Sequence, residues 1–168
     1  MPPATYEPIA TTTLTTDTGT VTFSSIPQTY TDLVAIIANV KNNFAGTGGV
    51  YDRFMRFNGD SGANYSVTNI QGNGSTASSN RFSNDNHFSA SFPRASDQPG
   101  SFIVHIQNYA NTTTNKTAIW RTTNPSVLTN AAVGLYRSTA AITSVTFIVD
   151  PNLFTSGSVF SIYGVKAA

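Results

Sequence analysis

Nowhere in this chain do apolar residues recur at helical spacing over eleven or more positions; short β-type runs recur instead roughly every 8–14 residues, with turn residues between them. That rhythm constrains the fold more than any other feature, because a period of two buries one face of a strand and a period of 3.6 one face of a helix. Thr11–Thr15 and Thr20–Ser24 flank Thr16-Asp17-Thr18-Gly19, which reads as a hairpin turn. Asp32–Lys41 is nearly continuous in apolar residues and is expected to be a central strand buried on both faces. Tyr51–Asn58, Tyr65–Gln71, Arg81–Phe92, Ser101–Tyr109, Lys116–Thr123, Ala131–Arg137, Ile142–Asp150 and Ser158–Val165 continue the series. In two of them the alternation is clean. Phe102, Val104 and Ile106 share one face, and Val145, Phe147 and Val149 share another.

Ten or eleven short strands in 168 residues predict a single all-β domain, an antiparallel β-sandwich of jelly-roll type, over residues 11–168. Residues 1–10 carry Pro2, Pro3 and Pro8 and few core candidates, so they are expected to form an extended N-terminal arm. The polar stretches Asn42–Gly49 and Gly72–Asn80 read as exposed loops.

The surface of such a domain is normally charged, with Asp, Glu, Lys and Arg near 25% of residues. Here they are 10%, and Thr, Ser, Asn and Gly take their place. The formal net charge is +1 and the basic residues are scattered, so no footprint for nucleic acid is present. The chain has no cysteine, no apolar run long enough to span a bilayer, and no basic, apolar leader at its start. A domain poor in ionisable groups is expected to be covered by neighbours and not to catalyse.

Each chemical motif has a plainer reading. Gly59-Asp60-Ser61-Gly62 spells the tetrapeptide around the nucleophile of trypsin-like proteases, but in that family the base and its orienting carboxylate precede the serine, whereas His87 and His105 follow it here. Asn58-Gly59-Asp60-Ser61-Gly62 is also a good turn. The two histidines lack the spacing of a zinc site, and Asp60 and Asp85 lack the ligand spacing of an EF-hand. No phosphate-binding glycine motif occurs, and no cofactor or metal is expected. Trp120, Tyr109 and Tyr136 could form a sugar-stacking platform, but Trp120 reads better as a core or subunit contact.

The segments YEPIATTTL, VTFSSIPQTYTDLVAI, RFNGDSGANYS, AITSVTFIV and SGSVFSIYGVKAA together resemble small virion proteins of tailed bacteriophages, notably cyanophages, over Tyr6 to Val165. The resemblance implies a jelly-roll protein of the particle and carries over no catalytic residue. The expected role is a capsid decoration or cement subunit that binds the major capsid protein, with a homotrimer anticipated from the threefold positions of an icosahedral shell. The alternative is a tail or fibre module that binds a host receptor or glycan. Candidate contacts are Tyr6, Pro8 and Ile9 in the arm, Asn43, Phe44 and Asn73 in the loops, and Trp120.

Overall fold

The computed structural model describes residues 5–40, 53–90, 99–124, 128–150 and 152–166. Among them are twelve strands, all paired antiparallel: β1 (Tyr6–Thr13), β2 (Thr20–Phe23), β3 (Asp32–Val40), β4 (Arg53–Phe57), β5 (Tyr65–Gly72), β6 (Ala77–Asp85), β7 (Phe88–Ala90), β8 (Gly100–Gln107), β9 (Lys116–Asn124), β10 (Leu128–Tyr136), β11 (Val145–Val149) and β12 (Val159–Val165). Eight form one sheet in the order β1-β12-β3-β8-β9-β10-β5-β6, and four form a second in the order β2-β11-β4-β7.

The sheets share one core, built from the alternating residues that the sequence marks. Leu33, Ala35 and Ile37 of β3, Phe102, Val104 and Ile106 of β8, and Phe160 and Ile162 of β12 are buried on the large sheet. Val145, Phe147 and Val149 of β11, with Met55 and Phe57 of β4, meet them from the small sheet. Aromatic rings cross the gap: Phe57 lies edge-on to Tyr136 at 5.6 Å, Phe88 leans on Trp120 at 5.5 Å, and Phe147 on Phe160 at 5.9 Å. Each fully buried large side chain contributes about 1.5–3 kcal/mol.

Four expectations change. The segment 72–80 is not a loop. Its turn closes at Asn73–Thr76, and Ala77–Asp85 returns along β5 as a strand exposed along almost its whole length. An edge strand that buries nothing needs no apolar alternation, so Ser and Asn conceal it. Arg81–Phe92 is not one strand: Asn84 takes a left-handed φ of 59°, β6 ends at Asp85, and β7 joins the other sheet. The Thr16–Gly19 turn makes no hairpin but a corner, since β1 and β2 lie in different sheets. Asp32–Val40 is central, yet only its inner face is fully enclosed; Ile36, on the outer face, is 36% exposed.

The extended arm is also revised. From Tyr6 onward the N-terminal segment is β1, laid antiparallel along β12 at the edge of the large sheet. Pro8 is tolerated there because an edge strand can lack a donor, and the pairing bulges between Pro8 and Ala10. Ile9 packs partly buried against the chain's own core. The stretch Asn42–Gly49 lies outside the described residues.

Candidate interaction surface

The outer face of the large sheet is the surface that the sequence and fold leave least explained. Its rows follow from the strand register. One runs Tyr163, Val34, His105, Ile119, Val133 and Thr68. The next runs Ser161, Ile36, Ile103, Arg121, Ala131 and Ile70. Directly paired residues on one face stand about 4.5–5.5 Å apart, so the apolar members touch across strands. Of the seven large hydrophobic side chains exposed among the described residues, five lie on this face: Tyr6, Ile36, Ile70, Ile119 and Val133. Ile70 is 64% exposed, and Ile119 and Val133 are each 48% exposed. A groove of about 320 Å³ lies on the face, and its lining includes Tyr6, Val34, Ile103, His105, Ile119 and Arg121.

Charge is sparse here. His105 Nε2 lies 3.0 Å from Asp32 Oδ2, and the other Asp32 oxygen accepts the Asn108 backbone N–H at 2.7 Å. Arg121 is paired in register with Ile103 and Ala131. Exposed, contiguous and weakly charged apolar surface is the signature of a contact surface.

The residues singled out from the sequence distribute differently. Tyr6 stands on this face and Pro8 is exposed on the edge strand. Asn73 is committed to its own turn, where its side-chain oxygen accepts the backbone N–H groups of Ser75 at 3.1 Å and Thr76 at 2.8 Å. Trp120 is corrected from contact to core: it is 2% exposed, against Phe88. Tyr109 and Tyr136 are buried too, so the three rings form no surface platform. Asn43 and Phe44 lie outside the described residues.

The protease-like tetrapeptide is a structural turn. Asp60 Oδ1 accepts the Gly62 N–H at 2.7 Å; Oδ2 accepts Asn64 Nδ2 at 2.8 Å and the Tyr136 hydroxyl at 2.9 Å. These bonds, the Gly62 amide foremost, hold the Asp60 carboxyl below its ordinary range. Burial raises the Tyr136 and Tyr65 phenols, and Asp60 adds to both shifts. His87 pairs with Asn86 and Ser89, and His105 with Asp32. Among the described residues no group of three His, Asp or Glu converges as a metal site.

Two features were not foreseen. Lys116 is fully enclosed, its ammonium donating to the carbonyls of Thr114 at 2.7 Å and Thr139 at 3.0 Å; burial lowers its pKa. Asn69 and Asn130 are buried on the inner face with side-chain amides that have no hydrogen-bond partner among the described residues. Ile119 and Val133 carried a readable signal, because each is apolar at the phase of its strand that faces away from the core. No protein-family model matches the chain, and a comparison with curated proteins found no match.

Proposed function

We propose that the chain is a non-enzymatic structural subunit of a bacteriophage particle, a capsid decoration or cement protein that seats on the major capsid protein. The carrying observation is the outer face of the large sheet, where Ile36, Ile70, Ile119 and Val133 stand exposed amid few charges. A subunit that holds by buried area and short-range hydrogen bonds needs such a face, and its grip is less salt-sensitive than one built on ion pairs.

The wiring supports a jelly roll. Set aside the hairpins β5–β6 and β9–β10, and the remaining strands form two four-stranded sheets, β1-β12-β3-β8 and β2-β11-β4-β7. The chain alternates between them as a jelly roll does, and the two hairpins lengthen one sheet from its β8 side. The competing reading, a glycan-binding tail module, lacks its aromatic platform because Trp120, Tyr109 and Tyr136 are inside.

The test is co-sedimentation of the purified chain with shells of the major capsid protein, at low and high salt. Saturable binding that survives high salt is expected. A chain that ignores shells yet binds cells or glycans would replace this reading with the tail module.

A further inference from the structure

We propose that β6 is a self-association edge, pairing antiparallel with β6 of a second copy across a two-fold axis centred on Asn80. The inference is independent of the particle reading above. A sheet edge presents a row of unpaired N–H and C=O groups, and soluble proteins guard such edges with proline, charge, bulges or short length. Of the four sheet edges among the described residues, three are guarded. β1 carries Pro8, a bulge between Pro8 and Ala10, and Glu7 paired with Lys166 at 2.7 Å. β2 has 4 residues and β7 has 3.

β6 has 9 residues, eight of them exposed, with no proline; its charges are Arg81 within the strand and Asp85 at its end, beyond the straight stretch Ala77–Ser83. Among the described residues only β5 pairs with it. From Ala77 to Ser83 its register on β5 is unbroken, and the irregularity comes only beyond, at Asn84. The free side is therefore a straight ladder of roughly 24 Å, at about 3.4 Å per residue.

The side chains say what fits there. Facing residues in a two-fold antiparallel pair lie on the same sheet face, so the axis must pass through a residue and not between two. Centring on Arg81 would set two guanidinium groups against each other. Centring on Asn80 pairs all of Ala77–Ser83, with Asn80 facing its own copy, Arg81 facing Ser79, and Phe82 facing Ser78. The Arg81 guanidinium has no hydrogen-bond or ion-pair partner within the described residues, and Ser79 offers its hydroxyl as an acceptor. Phe82, 40% exposed, gains a cover. The result is one sheet continuous across two copies, and hence dimers in place of the trimers anticipated from shell geometry.

The chain has no cysteine, so single introduced thiols report on the pairing without background. The Asn80→Cys variant of the full chain is oxidised and compared with Ser61→Cys, placed in the exposed turn. Facing β carbons at the axis stand about 4.5–5.5 Å apart and need close by only about 1 Å or less to reach disulfide distance, so Asn80→Cys is expected to form covalent dimers and Ser61→Cys is not. In sedimentation the wild-type chain is expected to dimerise reversibly. Ser79→Lys, opposing Arg81 of the partner twice over, should weaken the dimer about tenfold, and Ser79→Asp should tighten it by a similar factor. A wild-type chain that stays monomeric at its highest soluble concentration overturns the proposal. So does a thiol at position 80 that crosslinks no better than one at 61, or Ser79 charges that fail to act in opposite directions.

Discussion

Phe88 of β7 packs directly over Gly134 of β10, so closely that a β carbon added to Gly134 would lie 2.4 Å from Phe88 Cε1 and 2.7 Å from Trp120 Cζ3. The absent side chain lets an edge strand of the small sheet drive its ring into the large one. There the ring meets Phe57 at 5.3 Å, Tyr65 at 5.0 Å and Trp120 at 5.5 Å. Gly134→Ala is therefore expected to destabilise the fold by about 1–3 kcal/mol, the cost of overpacking a closed core. Chemical denaturation read by far-UV circular dichroism would check this; an unchanged midpoint would contradict the packing.

Trp120 is the chain's one tryptophan and is 2% exposed. Its native fluorescence should be blue-shifted and poorly quenched by acrylamide, with both properties lost on unfolding. Saturating sugars should leave the emission unchanged, whereas a surface platform would respond.

Asn58 ties the end of β4 to the segment before β11. Its side-chain oxygen accepts the backbone N–H groups of Thr143 at 2.8 Å and Ser144 at 3.2 Å, its amide donates to the Ala141 carbonyl at 2.9 Å, and its φ is 53°. Asn58→Ala should cost about 1–3 kcal/mol, because it strands backbone groups and leaves a β-carbon residue at positive φ. Asn58→Gly relieves the backbone but not the lost bonds, so its thermal midpoint should fall between those of wild type and Asn58→Ala.

Asp60 makes the fold sensitive to acid. Its carboxyl pKa is lowered in the folded chain by the Gly62 N–H, Asn64 and Tyr136, while the unfolded chain has the ordinary value. Across that window the unfolded state binds more protons, so the stabilisation is complete above the unfolded carboxylate pKa and is lost as pH falls through the folded one. Asp60→Asn should lower stability at neutral pH and flatten its decline between neutral and acidic pH. A parallel decline in wild type and variant, followed by thermal melts across pH, would remove Asp60 from the account.

The core was legible because alternation is written directly in residue type: Phe102, Val104 and Ile106 on β8, and Val145, Phe147 and Val149 on β11, are buried as their phase predicts. What was hidden follows from physics that a linear pattern does not encode. Turn residues at Thr16–Gly19 announce a change of direction but not which sheet receives the next strand. Ser78, Ser79 and Asn80 form a strand by hydrogen bonding to β5, their one strand partner among the described residues, so composition makes them look like a loop. Lys116 can be enclosed because its ammonium donates to the carbonyls of Thr114, a local partner, and of Thr139, a distant one that no linear pattern marks. For the interaction face, Ile119 and Val133 were readable as apolar residues out of phase, whereas Tyr6 reached the face only through β1 pairing with β12.

That out-of-phase pair yields the sharpest test of the outer face. Ile119 and Val133 face each other on β9 and β10, and each is about half exposed in the single chain. Neither fills the core, so Ile119→Lys with Val133→Lys should change folding stability little; isolated surface substitutions shift it by about 0.5 kcal/mol or less. The paired charges should still repel each other slightly across the strands. The same double change should abolish binding to capsid shells, because two ammonium groups would have to be desolvated where two aliphatic side chains were buried. Shell co-sedimentation and thermal melting of one preparation separate the two effects. Normal binding with a normal melt would move the contact surface away from this sheet, and a collapsed melt would show these side chains to be structural after all.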